Sequence, residues 1–150
     1  MYLPNDTNAM RAALDQAAKG LFLTSPNPRV GCVIVRDGQI IASGHTQRAG
    51  EAHAEVDALR DAASRGVDVR GATAYVTLEP CSMCAGLIVH SRIQRVVYGT
   101  TEPKAGVAVS RGEFFAQDFL NHRVLVEGGV LAEECASELR EFFRLRRMNP

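Results

Sequence analysis

The residues best suited to chemistry in this sequence form two short motifs. One is His53-Ala-Glu55, and the other is Cys81-Ser-Met-Cys84, which directly follows Pro80. Zinc prefers four tetrahedral ligands drawn from thiolates and imidazoles, and a catalytic zinc keeps one of the four positions for water. One histidine and two cysteines leave that position open. We therefore predict that His53, Cys81 and Cys84 hold one Zn²⁺ per chain.

Glu55 is the residue of these motifs that is suited to moving protons. On a regular helix, residues 53 and 55 point about 200° apart, so both face one metal ion only if His53 is the N-cap. Glu55 then lies near the metal and can take a proton from water and pass it to a leaving group. The alternatives are a closed structural zinc site or a reduced thiol pair, with Glu55 as an ordinary helix N-terminal charge. A closed site needs a fourth protein ligand, and His45, His90 and His122 lack an obvious spacing for it.

The remaining pattern predicts the elements that place these motifs. Apolar periodicity and turn residues predict helices over 51–65, where His53 lies near the start, and over 82–90, which the two cysteines open. A further helix is capped by Asp6 or Thr7, has its apolar positions between Ala9 and Ala18, and stops at Gly20. The other predicted elements are a loop over 24–29, strands over 30–36 and 39–43 joined by a hairpin at Asp37-Gly38, strands over 72–78, 95–98 and 124–126, an irregular segment over 100–112 and a helix over 131–147. Strands that alternate with helices predict a three-layer α/β/α fold with a five-stranded mixed sheet.

Composition restricts the classes of function. The 150 residues suit one domain over 1–150, and the 17 basic and 17 acidic side chains cancel. A global basic field for nucleic acid is therefore absent, and such contact requires a local patch. No apolar run approaches the roughly 18 residues of a membrane span, so we expect a cytoplasmic protein. Cys32 and Cys135 stand alone in apolar segments and are predicted to be buried packing residues.

Together the motifs resemble the cytidine and deoxycytidylate deaminase superfamily, in which H-x-E followed by P-C-x-x-C is the zinc-site pattern. The resemblance covers nearly the whole chain. It implies a cytidine-deaminase-like fold and a zinc-dependent hydrolase that removes an exocyclic amine from a nucleobase. It also implies that Glu55 is the catalytic proton shuttle and that the protein is a homodimer.

Within that superfamily the two parts of the chain resemble different members. Residues 21–79 resemble the deaminase domain of the bifunctional riboflavin-biosynthesis deaminase/reductase, and residues 81–147 resemble bacterial tRNA-specific adenosine deaminase. The motifs are Thr24-Ser-Pro-Asn-Pro-Arg-Val-Gly31, Gln47-Arg-Ala-Gly50 and His53-Ala-Glu-Val-Asp-Ala-Leu59 for the first, and Cys81-Ser-Met-Cys-Ala-Gly86, His90-Ser-Arg-Ile93, Asn121-His-Arg-Val124 and Phe142-Phe-Arg-Leu-Arg-Arg147 for the second. A chimera of the two is therefore a hypothesis.

Each part also departs from its pattern. The riboflavin enzyme has a longer insertion between its cysteines and a reductase domain, and both are missing here. The tRNA enzyme has an asparagine where this chain has Thr46.

The resemblance implies candidate contacts. Asn27, Thr46 and Ala54 are predicted to contact the substrate, although Asn27 between two prolines also suits a plain turn. Arg144, Arg146 and Arg147 are predicted to contact nucleic acid, the alternative being a solvated helix C-terminus. The predicted activity is conversion of adenosine to inosine in tRNA. The alternatives are diaminohydroxyphosphoribosylaminopyrimidine deamination, with a small aminopyrimidine as the partner molecule, and an inactive zinc-bearing partner subunit.

Overall fold

The computed structural model describes residues 4–20, 28–48 and 50–148, so most of the predicted loop over 24–29 lies outside the described residues. Within the described residues, no helix has the length and apolar character needed to cross a membrane. The elements are α1 (Pro4–Ala18), β1 (Gly31–Arg36), β2 (Gln39–His45), α2 (Ala54–Ser64), β3 (Thr73–Leu78), α3 (Ser82–His90), β4 (Arg95–Thr100), a 3₁₀ turn (Phe114–Ala116), β5 (Leu125–Gly128) and α4 (Ala132–Met148). This order confirms the predicted succession of helices and strands.

The five strands form one mixed sheet in the order β2-β1-β3-β4-β5. β1 pairs antiparallel with β2 and β3, whereas β4 pairs parallel with β3 and β5. The predicted hairpin is present: Arg36 pairs with Gln39, and Asp37 and Gly38 take φ values of 51° and 74°. Positive φ at both central residues is the geometry of a type I′ turn, which matches the twist of the flanking strands.

Helices cover both faces of the sheet, as predicted. Side chains of a strand alternate between its faces, so Cys32 and Ile34 of β1 join one core cluster while Val33 joins the other. The first cluster includes the buried faces of α2 and α3, and the second includes residues of α1 and α4. Cys32 and Cys135 are each 1% exposed, which confirms that these two thiols are packing residues.

Two predicted helix starts are wrong. α1 begins at Pro4, so Asp6 lies in its first turn and does not cap the helix. The Asp6 carboxylate is instead buried against the guanidinium of Arg95 on β4, at 2.8 Å, because that tertiary partner outweighs a local cap. α2 begins at Ala54 rather than at residue 51, because the backbone of His53 is extended.

Candidate active site

Two helix starts position the predicted metal ligands. His53 is the N-cap of α2, with φ −67° and ψ 164°, and Cys81 is the N-cap of α3, with φ −80° and ψ 173°. Cys84 lies one turn into α3 and is fully buried. β3 ends at Leu78 and leads through two residues into Cys81, so the site lies beyond the carboxyl end of a central strand. This is the edge at which open α/β sheets bind ligands.

The three ligand side chains converge. Nδ1 of His53 lies 3.7 Å from Sγ of Cys81 and 3.5 Å from Sγ of Cys84. Zinc bound tetrahedrally by sulfur at about 2.3 Å and nitrogen at about 2.05 Å sets these atoms about 3.6 Å apart. The observed spacing therefore fits a single zinc ion. In the described part of the chain, this is the one group of three or more His, Cys, Asp or Glu side chains whose ligand atoms all lie within 4.8 Å of one another.

The two thiols of the site differ in acidity. The pKa of Cys81 is lowered to about 5, chiefly because the Cys84 thiol hydrogen-bonds to its sulfur, with help from the amide of Cys84 and the nearby His53. The pKa of Cys84 is raised, by that same hydrogen bond and by burial. The first thiolate of the pair thus forms on Cys81 at the start of α3, where the helix dipole favours negative charge.

Glu55 lies beside the ligands in the first turn of α2 and is 6% exposed. Burial raises the pKa of its carboxyl group to about 7, with Cys81 as a further raising charge and the backbone amide, His53 and Cys84 acting in the opposite direction. A carboxyl group with a pKa near neutrality can both accept and donate a proton at physiological pH. Glu55 thus lies beside the predicted metal ligands, which is the position that the sequence predicts.

A cavity of about 170 Å³ connects these residues to the surface. Sites that enclose drug-sized ligands measure about 300–1,000 Å³, so this cavity suits one ring rather than a whole nucleotide. Its lining comes from the segments before β1 and after β2, the end of β3, the starts of α2 and α3, and the loop after β4. The lining residues are Pro28, Val30, Thr46, His53, Ala54, Glu55, Leu78, Glu79, Cys81, Glu102 and Ala105.

The three residues predicted to contact the substrate differ in their positions and contacts. Asn27 lies outside the described residues. Thr46 and Ala54 both line the cavity, but Oγ1 of Thr46 accepts a hydrogen bond from the backbone N–H of Val30 at 3.0 Å. Thr46 Oγ1 also lies 3.4 Å from the Val30 carbonyl oxygen, so its hydroxyl group is committed to the backbone just before β1.

The predicted nucleic-acid contacts lie away from the cavity. Arg144, Arg146 and Arg147 are exposed near the end of α4, and none of them lines the cavity as the structure describes it. The Arg144 guanidinium pairs with the carboxylate of Glu141 at 2.6 Å. These arginines therefore reach a substrate only if it extends beyond the cavity.

Sequence reasoning missed six residues of the cavity lining: Pro28, Val30, Leu78, Glu79, Glu102 and Ala105. Glu102 and Ala105 lie in the segment predicted to be irregular, which has no periodicity from which a direction can be inferred. Glu79 carried a usable signal, since it is an acidic residue that directly follows a buried strand and stands two positions before Cys81.

A buried carboxyl group beside a three-ligand zinc site on this fold defines a zinc-dependent hydrolase. Residues 3–100, more than half of the chain, match the family model described as the cytidine and deoxycytidylate deaminase zinc-binding region. The chain belongs to this family and is a zinc-dependent hydrolytic deaminase.

Two kinds of relative share the family with this chain. The tRNA-specific adenosine deaminase of Haemophilus influenzae is 45% identical over 95% of this chain and 85% of its own length, and that of Streptococcus pyogenes is 41% identical over 95% and 92%. The riboflavin biosynthesis protein RibD of Escherichia coli is 44% identical over 95% of this chain, but this chain spans only 38% of it.

The similar solved structures include both kinds of protein. The diaminohydroxyphosphoribosylaminopyrimidine deaminase/reductase of Thermotoga maritima superposes with a TM-score of 0.79 at 41% identity, covering 93% of this chain and 40% of that one. A structure from a study of A-to-I editing by tRNA:A34 deaminases superposes with a TM-score of 0.73 at 33% identity, covering 89% of this chain and 99% of that one. Both resemblances seen in the sequence are confirmed, and the hypothesis that the chain is a chimera stays a hypothesis.

Proposed function

We propose that this deaminase converts adenosine to inosine in tRNA. The observation that carries the proposal is length: relatives named tRNA-specific adenosine deaminase align with this chain over 85–92% of their own sequences. The two-residue spacer between Cys81 and Cys84 supports it, because the longer insertion of the riboflavin enzyme is missing. A small cavity open to the surface also suits a base that is flipped out of a larger RNA.

In this proposal His53, Cys81 and Cys84 hold the zinc ion. Bound zinc supplies Lewis acidity that lowers the pKa of water. The rest of the chemistry belongs to Glu55. Its carboxylate takes a proton from the water that adds to the ring carbon, and its carboxyl group gives that proton to the adjacent ring nitrogen. The carboxylate then takes the second proton from the new hydroxyl group on the ring carbon and gives it to the exocyclic amine. The carbon–nitrogen bond breaks, ammonia leaves, and the ring keeps the oxygen as a carbonyl group.

A second candidate is deamination of the phosphoribosylaminopyrimidine of riboflavin biosynthesis. The superposition on the Thermotoga maritima enzyme favours it, as does Thr46, whose hydroxyl is committed to Val30 and lacks the paired donor and acceptor of an amide. A third candidate, an inactive zinc-bearing partner subunit, is disfavoured by Glu55, because a structural subunit has no need of a buried proton carrier beside its metal.

The test is an ammonia-release assay run side by side with tRNA, free adenosine, cytidine, guanine and the phosphoribosylaminopyrimidine. Turnover of tRNA with formation of inosine is the expected result. Turnover of the phosphoribosylaminopyrimidine alone would replace the proposal with the second candidate. Absence of all turnover in zinc-loaded wild-type protein would favour the inactive subunit.

The proposal extends to location and assembly. A tRNA substrate agrees with the cytoplasmic location expected from the sequence. We also propose a homodimer on the family resemblance, and light scattering of the zinc-loaded protein measures it directly.

A further inference from the structure

The segment 101–112, which we call the wall loop, forms one side of the active-site cavity without regular secondary structure. It contributes Glu102 and Ala105 to the cavity lining. The loop contains no strand or helix, and several of its side chains are exposed, including Val109, although Ala108 is buried in the core cluster. Its position must therefore come from specific contacts to the rest of the protein.

Those contacts converge on one carboxylate. Oε1 of Glu79 accepts hydrogen bonds from the backbone N–H of Glu102 at 3.0 Å and from the hydroxyl of Ser110 at 2.5 Å. Oε2 of Glu79 accepts from the backbone N–H groups of Val109 and Ser110, at 2.8 and 2.9 Å. Four donors from both ends of the wall loop thus meet on one side chain.

Backbone contacts also hold this region to the end of β3, which leads to the predicted metal ligand Cys81. The N–H of Glu79 donates to the carbonyl of Thr100, and the N–H of Val107 donates to the carbonyl of Pro80, both at 2.9 Å. Gly106 packs against Glu79 so closely that a Cβ atom there would lie 2.4 Å from the Glu79 carboxyl carbon. The wall loop is therefore wrapped around Glu79, two residues before Cys81.

The Glu79 carboxylate has no capacity left for a substrate. A carboxylate offers about four acceptor positions, and all four of its observed partners belong to the wall loop. The side chain is 3% exposed. Although Glu79 borders the cavity, any effect that it has on the reaction must pass through the loop.

We propose that Glu79 is a positioning residue of the deaminase: its carboxylate fixes the wall loop so that Glu102 and Ala105 form the surface against which the substrate ring binds. The proposal concerns the deaminase site whichever base it takes, so it does not depend on tRNA as the substrate. It is tested with whichever of the five substrates the wild-type enzyme turns over fastest.

The informative variant is Glu79→Gln, in which an amide group replaces one acceptor oxygen and faces N–H donors. Hydrogen exchange of the zinc-loaded protein should show faster exchange at the amides of Val109 and Ser110. The amide of Ala85, which donates to the carbonyl of Cys81 in α3, should stay unchanged. This readout needs no substrate.

Values of kcat and KM, normalised to bound zinc, then show whether Glu79 positions the loop for substrate binding or only stabilises the fold. We expect KM to rise about tenfold while kcat changes by less than about threefold, because binding against the loop is weakened and the reacting groups stay in place. Ser110→Ala removes one of the four hydrogen bonds and should raise KM in the same direction by less. Glu113→Gln removes the same charge from an exposed residue just beyond the loop and should leave KM unchanged.

Three results would overturn the proposal. Unchanged exchange at Val109 and Ser110 would show that Glu79 does not hold the loop. Faster exchange with unchanged KM would show that the loop does not bind substrate. A fall in kcat at constant KM would place Glu79 on the reacting groups. If Glu79→Gln fails to fold, the KM of Ser110→Ala decides.

Discussion

The floor of the active-site cavity and its wall are held in place by different means. The floor consists of His53, Ala54, Glu55 and Cys81, which lie at the starts of α2 and α3 and inherit their positions from helices packed on the sheet. The wall consists of residues of the wall loop, whose backbone N–H groups donate hydrogen bonds to the Glu79 carboxylate. The floor contains the proposed zinc ligands and proton carrier, whereas the wall borders the cavity without contributing a proposed ligand or proton carrier. A change to the floor should therefore act on kcat, and a change to the wall on KM.

We expect the largest effect on activity from a substitution in the floor of the cavity. Glu55→Gln keeps the size of the side chain and removes its ability to accept a proton. We expect kcat to fall by about 10²- to 10⁴-fold, the range that a positioned general acid–base group contributes. Zinc content, measured by metal analysis, and the affinity for substrate, measured by titration, should stay near wild type. A variant that keeps zinc and also keeps full turnover would show that Glu55 is not the proton carrier.

Removal of zinc tests whether the floor also holds the fold together. A ligand that binds only the native state stabilises it by RT ln(1 + [L]/Kd), which is about 4 kcal/mol when free zinc exceeds Kd by a thousandfold. For a chain of this size, complete chelation should then lower Tm by about 10 °C. Scanning calorimetry with and without chelator measures the change. Cys84→Ala should start at the lower Tm and respond little to chelator, because one of the three zinc ligands has been removed.

The floor was predictable from the sequence because its signals are local. The C-x-x-C spacing puts both sulfurs on one side of a helix start, and the need for His53 and Glu55 to face one metal ion predicted the N-cap position of His53. The Asp37-Gly38 hairpin is local in the same sense.

The wall was not predictable, because its conformation depends on partners far away in the chain. Glu79 and Ser110 are 31 residues apart, and nothing in the spacing of the loop residues points to the pairing. The prediction for Asp6 failed for a similar reason. It has the residue type of a helix cap, but Arg95, 89 residues away, takes its carboxylate.

That ion pair offers a change that should affect stability without touching floor or wall. Asp6 is 1% exposed and accepts hydrogen bonds from the Arg95 guanidinium at 2.8 and 2.9 Å and from the Tyr75 hydroxyl at 2.5 Å. Asp6→Asn leaves the guanidinium without its main counter-charge, and we expect a decrease of about 3 kcal/mol in the free energy of unfolding. Urea titration measures it, while kcat and KM at 25 °C should not change.

The matched control is Glu127→Gln, which removes the other carboxylate from the same guanidinium. Glu127 lies 2.9 Å from Arg95, but its side chain is 32% exposed, so water can replace the contact. We expect a decrease of no more than about 1 kcal/mol. Equal decreases for the two variants would show that burial of Asp6 is not what makes its ion pair matter.

The smallest effect is expected at the end of α4, beyond both floor and wall. If the substrate is tRNA, Arg144, Arg146 and Arg147 bind phosphates outside the cavity, and removing one phosphate-binding cation reduces the slope of log K against log salt by about 0.7–0.9. Replacing all three by alanine should reduce that slope by about 2, below the roughly 2.1–2.7 of three full contacts, because Arg144 must first leave Glu141. KM for a tRNA anticodon stem-loop should rise about tenfold at physiological salt while kcat stays constant.

The same variant should deaminate a free nucleoside as the wild type does, if the wild type accepts one. Arg70→Ala is the control, since Arg70 is also an exposed arginine and pairs with Asp68 at 2.9 Å between α2 and β3. It should leave the salt slope unchanged. An unchanged slope in the triple variant would remove the α4 arginines from the substrate interface. The proposed tRNA activity would then depend on contacts made at the cavity itself, where the wall loop forms one side.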